Sequence, residues 1–305
     1  MKINGFILLF STLILGLLGA CQPEESNANK EIKILCTTGI IADAVENLVQ
    51  GHAQVNHLMG PGVDPHLYKA SQADVMAMQS ADIIVYNGLH LEGKMTEILE
   101  KTGKSKPVYA LGHYLDSAAL IIPDGELVDP HIWLDLSLWA QGIQGLSEDL
   151  SAHFPGKEKE ILLNSESYTK KILDLDEWVV EKMENLPKEN RILITSHDAF
   201  GYFGKRYGVE VKGLQGISTA AEYGLRDLTN LVDFCIENKV RAVFVESSVN
   251  EKSLKAVVEG AVASGYDLKI GGKLYSDALG QKEGPAGNYL GMVRENVETI
   301  YSGLE

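Results

Sequence analysis

Lys157 to Leu186 reads KEKEILLNSESYTKKILDLDEWVVEKMENL, thirty residues without a glycine or a proline. Ile161, Tyr168, Ile172, Leu175, Val179, Met183 and Leu186 recur at close to helical spacing, and Gly156 and Pro187 bracket the run. A helix of that length spans about 45 Å, the dimension of a domain. It is either a long amphipathic helix inside one domain or a spine between two. On both sides of it short apolar runs alternate with amphipathic ones. Before it, Ile32 to Cys36, Val55 to Met59, Ile83 to Tyr86 and Pro107 to Leu111 read as strands. Helices are expected between them at Ile40 to Val49, closed by Gly51, at Ser71 to Ser80, opened by a Ser71/Asp74 capping box, and at Gly93 to Thr102. After it, Arg191 to Ser196, Val209 to Gly213, Arg241 to Glu246 and Lys269 to Tyr275 repeat the pattern. Such βα alternation predicts parallel sheets.

The loops carry the chemistry. Gly60-Pro61-Gly62-Val63-Asp64-Pro65-His66 is a tight loop whose prolines and glycines restrict the backbone and deliver one imidazole to a defined place. A second Asp-Pro-His stands at Asp129-Pro130-His131, and His197 follows the apolar run Ile192-Leu193-Ile194 in Thr195-Ser196-His197-Asp198. Three histidines at three loop mouths point to a metal. Asp64 and Asp129 read as turn stabilisers, and Asp198 as a cap for the helix that follows.

The stretch from Gly60 through Tyr68-Lys69-Ala70, the segment Ala81 to Glu92, and Asp129-Pro130-His131-Ile132-Trp133-Leu134-Asp135 resemble the zinc/manganese solute-binding lipoproteins of bacterial ABC importers. The resemblance covers essentially the whole chain from Glu31 onward. It implies an α/β fold of two lobes, each a parallel-sheet α/β sandwich, joined by a single long rigid helix that limits hinge motion. The lobes are expected at 31–155 and 188–305, with the linking helix at 156–187 and the metal site in the interlobe cleft. It also implies four metal ligands, two from each lobe, at His66, His131, His197 and Asp277. Their spacings of 65, 66 and 80 residues match no short-range metal motif. Each follows a predicted strand or its connecting loop, however, and the carboxyl ends of parallel strands are where open α/β sheets place ligands.

Three imidazoles and one carboxylate fill a tetrahedron around zinc, or a five-donor shell if Asp277 binds through both oxygens. Dedicated zinc members of the family carry a histidine- and acid-rich insertion between the first two ligands, whereas this interval holds only His90 and His113. Manganese members use two carboxylates, whereas the third position here is His197. The reading therefore places zinc first and manganese second as the transported ion. Glu246, at the end of its strand, is the candidate carboxylate to orient an imidazole from outside the metal shell. His52, His57, His90, His113 and His153 are read as non-ligands.

The N-terminus sets the compartment. Lys2 precedes an apolar stretch from Ile7 to Leu18, and Leu18-Gly19-Ala20-Cys21 reads as a lipobox. The expectation is a lipoprotein signal peptide at 1–20, lipidation of Cys21, and a polar tether at 21–30. The apolar run is shorter than the ~20 residues that span a bilayer. The formal charge of −15 disfavours nucleic acid and anionic lipid as partners and raises the local concentration of cations. Cys36 and Cys235 fall in separate halves and read as buried apolar fillers. The implied partners are a membrane permease with its cytoplasmic ATPase, and the implied state is an extracytoplasmic monomer held to the membrane through Cys21. Two rival functions fit less: a surface adhesin, which no repeat or β-rich module supports, and a zinc hydrolase, which needs an open coordination position beside a base.

Overall fold

The computed structural model of the chain describes residues 31–123 and 127–305. The signal segment and tether expected at 1–30, Cys21 included, lie outside the described residues. In the first half β1 (Ile32–Thr38), α1 (Gly39–Val49), β2 (Ala53–Met59), α2 (Gln72–Ser80), β3 (Ile83–Tyr86), α3 (Thr96–Gly103) and β4 (Val108–Ala110) lead to α4 (Leu136–Ser151). Helix α5 (Glu158–Glu184) follows. The second half runs β5 (Ile192–His197), α6 (Gly201–Tyr207), β6 (Glu210–Gln215), α7 (Leu225–Glu237), β7 (Ala242–Glu246), α8 (Lys252–Ala263), β8 (Lys269–Leu274) and α9 (Tyr289–Leu304). Among the described residues no helix is long and apolar enough to cross a membrane.

The strands form two four-stranded sheets of the same order, β2-β1-β3-β4 and β6-β5-β7-β8, and every pairing is parallel. A parallel neighbour needs a crossover, which the intervening helices provide. The strand period of two divides each sheet between two apolar environments. In the first sheet Ile34, Cys36, Ile83 and Val85 face the main core, while Leu35 and Ile84 face a smaller cluster with Met78 and Leu99 of α2 and α3. In the second sheet Leu193, Ala242, Phe244 and Leu274 face the main core, while Ile194, Val243 and Val245 pack under α7 and α8.

The main core belongs to neither half alone. It joins Ile41 and Leu48 of α1, Trp139 and Ile143 of α4, the apolar stripe of α5, Phe244 of β7, and Met292 and Val297 of α9. Helix α5 is 27 residues long, about 40 Å, and it packs on α1, α4 and α9. Ile161, Tyr168, Ile172, Leu175, Val179 and Met183 are buried as the spacing predicts. Asp176 is buried on the same stripe, where it accepts hydrogen bonds from the Arg206 guanidinium and, at 2.7 Å, from the Tyr207 hydroxyl. A charge inside this core is tolerated because α6 supplies both partners.

Local details follow the expected chemistry with small shifts. The Ser71/Asp74 capping box is present on α2. The left-handed cap of α1 is Gln50, at φ 41°, rather than Gly51. Cys36 and Cys235 are both free and buried.

Candidate metal centre

The first loop is built by its turn residues. Val63 N–H donates to the Gly60 carbonyl at 3.2 Å across Pro61 and Gly62, and Gly62 has φ 72°. Proline second and a left-handed glycine third is the signature of a type II turn. Asp64 then closes the next step: its Oδ1 accepts from the backbone N–H of His66 at 2.9 Å, while its Oδ2 accepts from the Thr219 hydroxyl of the second half at 2.6 Å. One carboxylate thus shapes the His66 loop and ties it across the cleft.

The second Asp-Pro-His uses the same turn differently. Asp129 Oδ1 accepts from the His131 backbone N–H at 3.0 Å and lies 2.7 Å from His131 Nδ1. Asn87 donates to the Pro130 carbonyl at 2.9 Å, and Tyr202 donates to the Asp129 carbonyl at 2.9 Å. Asn87 itself sits in a loop organised by buried Glu92, which accepts from Asn87 N–H at 2.8 Å and from the Thr37 hydroxyl at 2.7 Å. Gly201 leaves the space that Asp129 needs, since a Cβ there would stand 2.8 Å from Asp129 Oδ2.

His197 is the last residue of β5, and Glu246 is the last of β7. These strands are neighbours in the sheet, which brings the carboxylate to the imidazole. Glu246 Oε1 accepts from His197 N–H at 2.9 Å, and Oε2 lies 2.6 Å from Nδ1. Asp277 follows β8. The neighbouring Ser276 carbonyl accepts from the Trp133 indole at 2.7 Å, so the first half anchors this loop as well.

The structure brings His66, His131, His197 and Asp277 together in a buried cluster whose donor atoms lie within 4.8 Å of one another. His131 Nε2 is the hub, 3.3 Å from His66 Nε2, 3.3 Å from His197 Nε2 and 3.4 Å from Asp277 Oδ1. A tetrahedron with metal bonds of about 2.0–2.1 Å has edges of about 3.3–3.4 Å. The three separations from His131 Nε2 match those edges, so the cluster could hold one ion. Asp129 and Glu246 each face the Nδ1 side of an imidazole, which leaves the Nε2 lone pair for the centre.

In the metal-free chain, electrostatics puts further protons on two of these rings. Burial pushes the His66 imidazole down to about 3, so it is neutral. Burial also acts to lower His131, but Asp129 and Asp277 outweigh it and hold the imidazole up at about 9. His197 is raised well above its ordinary value because Glu246 and Asp277 overcome its burial. Burial works to raise Asp277, yet His197 and His131 hold its carboxyl well below the usual range. Without metal the site balances an anionic carboxylate against protons on imidazole. A divalent cation bound there would displace those protons.

The remaining histidines lie elsewhere. His52 meets Glu160 at 2.9 Å, His153 meets Tyr109 at 2.7 Å, and His57, His90 and His113 are exposed. The N-cap position of α6 is Phe200, without a side-chain bond, rather than Asp198; the helix starts two residues later than a cap at Asp198 requires. Two contributors escaped the sequence reading. The partnership of Asp129 with the His131 ring was legible in the repeated Asp-Pro-His, because an Asx turn puts the carboxylate beside the histidine. Ser248, which donates to Asp277 Oδ2 at 3.0 Å, left no signal.

Known proteins place this geometry in a family. Residues 34–303 match the family described as zinc-uptake complex component A, periplasmic. The chain is 45% identical over 298 residues to the manganese-binding lipoprotein MntA of Bacillus subtilis, covering 97% of each chain. It is 41% identical over 293 residues to the zinc-binding protein TroA of Treponema pallidum, covering 96% of this chain and 95% of that one. The solved structure of the periplasmic zinc-binding protein TroA from Treponema pallidum superposes with a TM-score of 0.88 at 42% identity, covering 90% of this chain and 99% of that one. The chain belongs to the zinc-uptake component A family, the metal-binding solute-binding proteins of bacterial ABC importers.

Proposed function

We propose that this protein captures one divalent transition-metal ion, zinc first and manganese second, between His66, His131, His197 and Asp277, and hands it to a membrane permease driven by a cytoplasmic ATPase. The observation that carries the reading is the convergence of three Nε2 atoms and one carboxylate, at separations of 3.3–3.4 Å around His131. Relatives named for manganese and for zinc share this chain over nearly its full length, which supports both ions as cargo. In this reading Asp129 and Glu246 orient two imidazoles. The lobes are 31–155 and 188–305, with 156–187 linking them. The chain acts as a monomer, tethered outside the cytoplasm through Cys21.

The donor set supports carriage rather than turnover. Four protein donors surround the centre and all four residues are buried, whereas a catalytic zinc keeps a position for water or substrate. The test is elemental analysis of protein purified without added metal, followed by competition between zinc and manganese. One equivalent of metal, bound more tightly as zinc, is the expected result. Substoichiometric metal that dialysis against buffer removes would refute the reading.

A further inference from the structure

Asp277 presents both of its oxygens to the centre. Oδ1 lies 3.4 Å from His131 Nε2, and Oδ2 lies 3.5 Å from His197 Nε2. Near-equal separations mean that neither oxygen is turned away from the point on which the imidazoles converge. One side chain holds the carboxylate in this plane. Ser248, two residues beyond β7, has its Oγ 3.0 Å from Asp277 Oδ2 and 3.3 Å from Ser276 Oγ. A metal-bound carboxylate only accepts, so the single Ser248 hydroxyl proton goes to Oδ2 and Ser276 donates to Ser248. Asp277 Oδ1 has no hydrogen-bond partner among the described residues. Pinning Oδ2 therefore stops the carboxylate from rotating; each carboxylate oxygen has two lone pairs, so Oδ2 keeps one for the centre and Oδ1 keeps both. Ser276 is itself held, through its carbonyl, by the Trp133 indole at 2.7 Å.

We propose that Ser248 is a positioning residue for metal choice: it keeps Asp277 in the two-oxygen presentation that offers five donors, three nitrogens and two oxygens, and so admits manganese beside zinc. The proposal rests on the four-residue site of the preceding section. Zinc is saturated by four donors, whereas manganese favours oxygen ligands and a larger shell. Without Ser248 the carboxylate turns until one oxygen faces the ion, which satisfies zinc and deprives manganese. A residue that only supported the loop would weaken both metals alike.

The experiment compares the full chain, purified in detergent and stripped of metal, with its Ser248→Ala and Ser248→Thr variants. Each is titrated with zinc and with manganese against a chelating dye, and cobalt(II) absorption reports coordination number. For Ser248→Ala the expected result is about tenfold weaker manganese binding with zinc changed by less than about threefold. Its visible cobalt bands strengthen as five-coordinate metal gives way to four-coordinate. Ser248→Thr, which keeps the hydroxyl, restores both readouts, and the metal-free melting temperature is the same in all three proteins. Equal losses for the two metals, or an unchanged cobalt spectrum, overturn the proposal while leaving the site intact. A wild-type chain that binds neither metal overturns the four-residue site itself, and the proposal with it.

Discussion

The hydroxyl of Tyr289, on the last helix, donates to the carbonyl oxygen of Trp133 at 2.7 Å, although the two residues stand 156 positions apart. The bond is buried, and the Tyr289 ring also packs on Trp139 with centroids 5.6 Å apart. Tyr289→Phe keeps the ring and removes the donor. The expected loss is about 1–2 kcal/mol of unfolding free energy, measured by urea denaturation of the metal-free protein, with metal affinity little changed. Full stability in the variant would show that the bond is dispensable to the join between the halves.

The four donors act as a unit. Alanine at His66, His131, His197 or Asp277 is expected to remove most of the stabilisation that metal confers, about 2.7 kcal/mol when free metal is a hundredfold above Kd. Thermal melts with and without zinc provide the check. Any single variant that retains the wild-type melting shift is not a ligand variant.

The carboxylates behind the imidazoles carry a separate expectation. Asp129 lies 2.7 Å from His131 Nδ1, and Glu246 lies 2.6 Å from His197 Nδ1. Asp129→Asn and Glu246→Gln preserve shape and remove charge, so each is expected to weaken zinc binding about tenfold or more. Unaltered zinc affinity in both would mean that these carboxylates serve the fold alone.

Stability of the metal-free chain depends on pH in opposite senses through two rings. His131 is raised from 6.5 to about 9, so its contribution is complete below pH 6.5 and is lost as pH rises through about 9. His66 is lowered from 6.5 to about 3, so the unfolded chain binds its proton first and stability falls as pH drops below 6.5. The contributions of these two rings to metal-free stability are jointly largest near pH 6.5, and the protons held on His131 make zinc binding at pH 7 release protons. Melting temperatures across pH 5 to 9, with calorimetry in two buffers of different ionisation enthalpy, measure both effects. Metal-free stability that keeps rising up to pH 9 would contradict the His131 assignment.

The parallel sheets were legible because apolar runs such as Ile83 to Tyr86 are short, β-branched and bounded by loop residues, and because Lys157 to Leu186 has an unbroken helical period. The four-residue cluster was legible through resemblance more than through spacing, since gaps of 65 to 80 residues carry no local rule. Sequence patterns report which face of an element is apolar, but not which distant element covers it. The packing of α9 on α1 and α5, and the place of Asp176 on the buried stripe, therefore appear only in three dimensions. Ser248 is a polar residue in a loop, and nothing in its neighbourhood distinguishes it from the adjacent Ser247 until Asp277 is seen beside it.

The two sheets share one strand order, and on topology alone the halves look like interchangeable modules. The common core denies them that independence. A chain that stopped before β5 would leave α1 and α5 without the apolar face of α9, and one that began at β5 would leave Met292 and Val297 without a partner surface. Swapping a half for that of a relative therefore means recutting the seam along α1, α4, α5 and α9, not just matching the ends. The molecule is bipartite in its pattern and indivisible in its construction.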